Sequence, residues 1–385
     1  MCTGLLILSA GLPADLRENS NDLALYRETG MSILRGEMPY RDFFIEYPPG
    51  SLPAFVLPAL SSANRAGFIG LFAFEMALLL AVTLLLTALA ARSLRGSHAW
   101  ILPAATFALA ALFLYPVALT RYDAVVALTL GLAVFLAALG GRFLVLAYAS
   151  LGLGAAAKLV PSLAVLPLAL TRRGAVRGCA VFLAVVALCF LPFALFGGGG
   201  LLQSFAYQAE RGLQVESLAA SVLVPLHAVD GVVFEHGAFE VQGGGVGLAT
   251  SLSPLLTIAS LAVTGLVMYR EYRRFGGLGA DAFPRHAAAL ILAFMLGSRV
   301  LSPQYVIWLL PLVPLGAGGL AGAAVCALFL AACLTTTLVF PIHYGDLLSF
   351  RYPGPELLLA RNLLLAILWV TLLALSAVAG EKASS

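Results

Sequence analysis

Long runs of apolar residues, almost free of charge, constrain this chain more than any other feature of its sequence. Each run has about 20 residues, the length of a helix that crosses the hydrocarbon core of a bilayer. Strands of a membrane barrel would instead alternate polar and apolar residues. We therefore predict an all-α, polytopic transmembrane protein. The clearest runs are Leu71–Ala91, Ala99–Leu119, Leu248–Tyr269, Leu320–Phe340 and Leu357–Ala379.

Composition and two longer apolar stretches support the same class. Of 385 residues, 61% are hydrophobic and 11% are charged, whereas soluble domains carry about 25% charged residues. Phe143–Leu170, interrupted by Lys158, and His286–Leu315, interrupted by Arg299, are each too long for one span. We interpret each as two short helices that meet near the outer leaflet, for a total of about 10 to 13 helices. Irregular backbone at membrane depth is tolerated where it lines a wet cavity, so both breaks are candidate site walls.

Arginine and lysine residues in short loops predict the side on which each loop lies. With residues 15–50 outside, the inside loops carry 11 basic and 3 acidic residues, against 11 basic and 15 acidic residues outside. This imbalance favours both termini inside and two outside segments, residues 15–50 and 197–247. We expect residues 1–385 to form a single membrane domain. The apolar segment Leu5–Leu12 is too short to span a membrane, so the first transmembrane helix is expected to be truncated.

The first outside segment is predicted to contain an amphipathic helix on the membrane surface. Its apolar residues recur at helical spacing at Leu23, Tyr26, Gly30, Ile33 and Leu34. Asp22 opens this helix, where a carboxylate could cap the free N–H groups. A general base held at the membrane surface would occupy the same position, and the spacing does not separate the two interpretations.

Charged residues inside apolar runs indicate a site, because an unpaired charge there is costly. Lys158 and Arg299 are such residues, and we expect both to meet on one cavity near the outer membrane boundary. A lipid-linked phosphate is a suitable ligand for cations at that depth. Glu75 also lies in an apolar run, and we expect it to pair with one of the cations.

Several chemistries find no support in the sequence. The five cysteines include no CxxC pair, and no His/Cys cluster has metal-ligand spacing. There is no Walker A loop and no dinucleotide-binding fingerprint. We therefore expect no metal, no cofactor and no nucleic acid partner.

A series of motifs resembles glycosyltransferase family 87, a family of the GT-C superfamily of membrane glycosyltransferases. The resemblance spans about residues 20 to 315. The motifs that carry it, in order, are Asp22–Tyr26 with Leu34–Phe43 and Glu46–Pro49, then Arg121–Asp123, Lys158–Pro161, Arg211–Ser217, and Ser302–Tyr305 with Trp308.

This resemblance implies a GT-C-like fold and a multi-pass protein of the cell membrane with an extracytoplasmic active site. The implied reaction is inverting transfer of a hexose or pentose, typically mannose or arabinose, from a polyprenyl-phosphate donor to a lipid-linked or polysaccharide acceptor. Asp22 matches the family's catalytic base. The donor phosphate would be bound by Arg299, Lys158 and Arg211. Residues expected to bind the sugar or the acceptor are Tyr26, Asp42, Glu46, Tyr47, Arg121, Asp123, Gln214, Glu216, Gln304, Tyr305 and His343.

Two other classes of protein remain open from the sequence. A secondary transporter or lipid flippase also has intramembrane charges and broken helices. However, the breaks here lie on one side of the membrane, and no inverted repeat is visible. A non-catalytic membrane protein of envelope assembly is the other alternative.

Overall fold

The computed structural model describes residues 21–62, 64–171 and 174–378, so the Leu5–Leu12 segment lies outside the described residues. The predicted surface helix is α1 (Asn21–Leu34). Leu23 and Tyr26 on its apolar face are buried, whereas Leu34, the last residue of the helix, is 42% exposed. A 3₁₀ turn, Pro49–Ser51, leads into the short helix α2 (Leu52–Leu60).

The next group of helices forms much of the core. The Asn64 side chain caps the first of them by accepting a hydrogen bond from the Gly67 N–H. The predicted run Ala99–Leu119 is two helices rather than one, with Pro116 in the first turn of the second. The helices are α3 (Arg65–Arg95), α4 (Ile101–Phe113), α5 (Tyr115–Ala118) and α6 (Asp123–Leu139).

Both predicted helix breaks are present. The first lies between α7 (Phe143–Ala157) and a 3₁₀ segment, Val160–Ala164, which continues into α8 (Val165–Ala169). Helix α6 packs against both α3 and α7, which places this break beside the start of α6.

The second segment predicted to lie outside, residues 197–247, adds a small β-hairpin to the predicted helical fold. After α9 (Ala175–Phe196) come α10 (Gly200–Glu210) and α11 (Leu218–Leu223), the last capped by the Ser217 side chain. A two-stranded antiparallel hairpin then forms, with Val233 opposite Glu240 in its register. Its strands are β1 (Gly231–Glu235) and β2 (Ala238–Gln242). Valine and phenylalanine in both strands favour extended backbone. The hairpin was not predicted, because each strand has only five residues and glycine-rich segments flank the pair.

The C-terminal half contains the second break, where a 3₁₀ helix, Pro303–Leu309, follows α13. A further 3₁₀ turn, Val313–Leu315, precedes α14. Helix α13 is buried over nearly its whole length. The helices are α12 (Val246–Phe275), α13 (Ala282–Gly297), α14 (Gly319–Thr337), α15 (Tyr344–Leu348) and α16 (Gly354–Val378).

The described residues contain five helices long and apolar enough to cross a membrane, together with seven shorter apolar helices. The polytopic helical class is therefore confirmed, although many of the segments are shorter than a full span. The expected ion pair of Glu75 is wrong. Its Oε2 is buried in α3 and accepts no hydrogen bond from any described residue, because Lys158 and Arg299 are bound by other groups.

Candidate functional site

A cavity of about 500 Å³ lies where both helix breaks meet the two segments that the sequence predicts to lie outside, called below the first and second outside segments. This volume is in the range of small-molecule binding sites. The cavity brings together residues from both halves of the chain. The predicted site residues that line it are Asp22, Glu46, Tyr47, Arg121, Lys158, Arg211, Gln214, Glu216, Gln304 and Tyr305.

Asp22 lies in the first turn of α1, at the cavity wall, with its side chain 28% exposed. Arg121 Nη2 lies 2.7 Å from Asp22 Oδ2, and the Tyr47 hydroxyl donates to Oδ1 over 3.3 Å. The guanidinium therefore fixes one carboxylate oxygen, while the other accepts a single long hydrogen bond from the described residues. An incoming hydroxyl could displace that weaker contact and reach Oδ1.

Tyr26 does not line the cavity, contrary to its expected role in binding sugar. It is 1% exposed and stacks on Phe55, with ring centroids 4.4 Å apart. Its ring also meets Tyr47 and Tyr122 edge-on, at 5.6 and 5.9 Å. Its place one helical turn after Asp22 points it into the protein, where it supports the cavity wall.

Lys158 is the residue at which α7 ends, and its extended backbone marks the break. Its Nζ lies 2.8 Å from Asp123 Oδ1, an oxygen that also accepts a hydrogen bond of 2.6 Å from Trp308 Nε1. The ammonium lies 5.0 Å from the ring centroids of Tyr122 and Trp308 and 5.1 Å from that of Tyr305. An ion pair and three aromatic faces together stabilise this cation at the cavity wall.

Asp123 itself is 1% exposed and is not among the residues that line the cavity. Asp123 therefore cannot contact a sugar or acceptor in this cavity directly, as expected from the sequence, and acts on the cavity through its neighbours. It positions Lys158 and Trp308 through one shared oxygen.

The expectation that Lys158 and Arg299 share one cavity is wrong. Arg299 lines a second cavity, of about 350 Å³, and its Nη1 donates to the Arg211 carbonyl over 3.0 Å. The guanidinium is thus used to hold the Arg211–Ser217 segment. Arg211 lines both cavities and connects them.

The Arg211–Ser217 segment supplies a polar wall. The Gln214 N–H donates to the Arg299 carbonyl over 3.0 Å, and Gln214 Nε2 donates to Ser302 Oγ over 3.0 Å. Glu216 is 2% exposed and accepts a hydrogen bond of 3.1 Å from the Tyr344 hydroxyl. Burial raises the pKa of the Glu216 carboxyl.

Glu46 lies at the opposite wall, in the first outside segment. Gln208 Nε2 of α10 donates to its Oε2 over 3.3 Å, and Arg211 Nη1 donates to Gln208 Oε1 over 3.3 Å. Burial raises the pKa of the Glu46 carboxyl, and the charge of Arg211 acts against that rise.

Two further predicted site residues lie outside the cavity. Asp42 is exposed and pairs with Arg41 Nε at 2.9 Å; hydrogen bonds from Arg41 hold the pKa of Asp42 at about 2. His343 Nδ1 lies 2.8 Å from Asp346 Oδ2. Neither is among the cavity-lining residues, and each pairs with a residue of its own turn.

The sequence reasoning missed Tyr344, Gln208 and His236, which also line the cavity. Tyr344 directly follows the predicted site residue His343, but nothing in the sequence links Tyr344 to Glu216. His236 forms the turn of the hairpin, and its Nδ1 lies 3.2 Å from Glu240 Oε1. The ligand atoms of Glu235, His236 and Glu240 lie within 4.8 Å of one another, a spacing that a divalent cation could bridge.

Comparisons with known proteins decide the family. The family model of glycosyltransferase family 87 matches residues 44–303, which include Lys158, Arg211 and Arg299. The chain belongs to glycosyltransferase family 87. The resemblance inferred from the motifs is thereby confirmed, and the protein is an integral membrane glycosyltransferase. Asp22 precedes the matched residues, so the family match does not bear on its expected role.

Solved structures with a similar fold include two of ArnT from Cupriavidus metallidurans. The one bound to undecaprenyl phosphate is 14% identical, with a TM-score of 0.47, and the match covers 90% of this chain and 72% of that one. The apo structure is 13% identical, with a TM-score of 0.47, and the match covers 91% and 71%. No curated protein matches this chain in sequence.

Proposed function

We propose that this family 87 protein transfers a sugar from a polyprenyl-phosphate donor to a lipid-linked or polysaccharide acceptor on the extracytoplasmic face of the cell membrane. Mannose or arabinose is the proposed sugar, and transfer inverts the anomeric centre. One observation carries the proposal: Asp22 and the cations Lys158 and Arg211 line one cavity at the ends of membrane helices. A base and phosphate-binding cations are the groups that such a transfer needs.

In the proposed step, the acceptor hydroxyl approaches Asp22 Oδ1 and gives up its proton to the carboxylate. The hydroxyl oxygen then forms a bond to the anomeric carbon as the bond from that carbon to the phosphate oxygen breaks. The released polyprenyl phosphate carries the added negative charge, which Lys158 and Arg211 stabilise. Arg121 keeps Asp22 oriented through its 2.7 Å ion pair.

The remaining cavity residues are proposed to bind the sugar or the acceptor. Tyr47 and Glu46 lie on the side of the first outside segment, whereas Gln304 and Tyr305 lie at the second break. Arg299 is proposed to act on the phosphate through Arg211, whose carbonyl it binds. The prenyl chain would lie among the lipid-facing helices beside the cavity.

Purified protein assayed with a panel of polyprenyl-phosphate sugars tests the proposal. Wild-type protein should transfer at least one sugar, and Asp22→Asn should lower kcat by about 10²- to 10⁴-fold, because the amide cannot accept the proton. Asn is close to Asp in size, and its amide oxygen can still accept a hydrogen bond from Arg121 or Tyr47, so the substitution changes the local contacts little. Glu28→Gln, an exposed position on the same helix, is the matched control.

Near-normal turnover by Asp22→Asn would contradict its role as base and leave it as a structural partner of Arg121. Absence of transfer from every donor by folded wild-type protein would contradict the proposed reaction.

A further inference from the structure

Glu216 has one carboxylate oxygen without a partner. The residue lines the site cavity, is 2% exposed, and its Oε2 accepts no hydrogen bond from any described residue. The other oxygen, Oε1, accepts from the Tyr344 hydroxyl over 3.1 Å. A buried acceptor that lacks a donor is costly, and such atoms in folded proteins call for an explanation.

Hydrogen bonds to the backbone of Glu216 and of the next residue hold this segment in place. The Glu216 carbonyl accepts a hydrogen bond of 2.8 Å from Arg361 Nη2 and one of 3.4 Å from Asn362 Nδ2, both buried residues of α16. The next residue, Ser217, caps α11 through a 3.1 Å bond from the Ala220 N–H. The unpartnered oxygen therefore belongs to a fixed wall and cannot withdraw to solvent.

The chemistry around Glu216 selects the kind of ligand group that fits. The carboxylate forms no ion pair with any cation in the described part of the chain; Arg361 bonds to its carbonyl instead. Gln214 and Ser302, both buried and hydrogen-bonded to each other at 3.0 Å, line the same cavity. Because Arg361 donates to backbone carbonyls, the free carboxylate oxygen remains an acceptor, which repels a phosphate and accepts hydrogen bonds from hydroxyl groups.

We propose that Glu216 recognises a hydroxyl group of the transferred sugar, which donates a hydrogen bond to Oε2. This inference rests on the proposed function. Lys158 and Arg211 bind the phosphate of the donor, and the sugar attached to that phosphate occupies the part of the cavity bounded by Glu216. Tyr344 is a positioning residue that holds Oε1, so that Oε2 faces the ligand.

The test compares the donor sugar that the wild-type protein transfers with its monodeoxy analogues, each linked to polyprenyl phosphate. For wild-type protein, removal of one particular hydroxyl should lower kcat/KM by about 10- to 100-fold, the effect of losing a hydrogen bond to a charged group. In Glu216→Ala this discrimination should disappear at that position alone. In Glu216→Gln it should fall by about 10-fold, because the amide oxygen is a weaker acceptor than a carboxylate.

The ratio of kcat/KM for two donors, measured in one protein preparation, does not depend on how much of the variant is folded. Glu356→Gln, an exposed glutamate at the start of α16, should keep the wild-type ratio. Unchanged discrimination in both Glu216 variants would overturn this inference and leave the proposed function intact. The inference would also be overturned if Glu216→Ala abolished discrimination against a deoxy analogue of the acceptor and not of the donor sugar. Absence of wild-type transfer from every donor would contradict the proposed function, and this inference with it.

Discussion

At the scale of single residues, the charges of this site are held by short, specific contacts. Lys158 would be costly in an apolar run without a partner, and Asp123 would be equally costly as a buried carboxylate. Their 2.8 Å ion pair lets each charge offset the other, and Trp308 adds a donor to the same Asp123 oxygen, Oδ1. The pair is therefore a structural requirement of the break as well as part of the proposed phosphate site.

Removing one partner should thus be worse than removing both. Lys158→Met should lower the free energy of unfolding by about 3 kcal/mol, since it leaves the Asp123 carboxylate buried and unpaired. The double variant Lys158→Met/Asp123→Asn should regain much of this loss, because the amide carries no charge. Thermal denaturation in detergent measures both effects. Equal stability of the single and double variants would show that the ion pair is not what stabilises the break.

Glu46 and Asp42, four residues apart, should respond to pH with opposite signs. Burial raises the pKa of Glu46 above 4.5 in the folded protein, so its ionisation costs stability at higher pH. Glu46→Gln should melt higher than wild type at neutral pH, with a difference that vanishes as pH falls towards 4.5. Asp42, with a pKa of about 2, contributes stability above pH 4, so Asp42→Asn should melt lower than wild type there. Melting curves between pH 4 and pH 8 measure both differences, and a difference of the same sign for the two variants would contradict the assignment.

At the scale of elements, the site depends on close contact between the first outside segment and the first helix break. A Cβ placed on Gly50 would lie 2.5 Å from the carbonyl carbon of Ala156, near the end of α7. Glycine is required there because two backbones touch. Pro48, just before this turn, and Lys158, just after α7, both line the cavity.

Gly50→Ala should therefore push the turn away from the end of α7. We expect a loss of about 1–3 kcal/mol in stability together with reduced turnover, because both cavity walls move. Gly265→Ala in α12 is the control, since nothing lies within 4 Å of its added Cβ; within a helix it should be neutral or stabilising by about 0.5–1 kcal/mol. Denaturation and transfer assays on both variants would check this, and equal behaviour would contradict the close contact.

At the scale of the whole molecule, the distribution of charged residues and the position of the cavity predict the same orientation in the membrane. Asp22, Lys158 and Arg211 line one cavity, so they lie towards the same side of the membrane. The loops with the greatest excess of basic residues are those at the other ends of the helices. The positive-inside rule then predicts that the cavity opens to the outside.

Cysteine labelling in intact cells tests this orientation. In a background with the five native cysteines replaced, Asp42→Cys should react with a membrane-impermeant maleimide. Arg274→Cys, exposed at the end of α12, should react only after the membrane is opened. Labelling of both from one side, or the reverse pattern, would overturn the predicted topology.

The sequence by itself determined the helical membrane class, both helix breaks and ten of the residues that line the cavity. These follow from local physics: hydrophobic length sets a span, and a charge in an apolar run requires a special environment. The family motifs then supplied the sugar-transfer chemistry. The short hairpin was missed because its pattern covers only a few residues beside glycine-rich turns.

Only the tertiary structure decided which side chains meet. Lys158 was recognisable as a buried cation, but its partner Asp123 lies 35 residues earlier and its partner Trp308 lies in another part of the chain. Arg299 has the same sequence signature as Lys158, yet it bonds to the Arg211 backbone and faces a second cavity. Local pattern shows that a charge needs a partner; packing between distant segments selects the partner, because that contact depends on how the helices assemble.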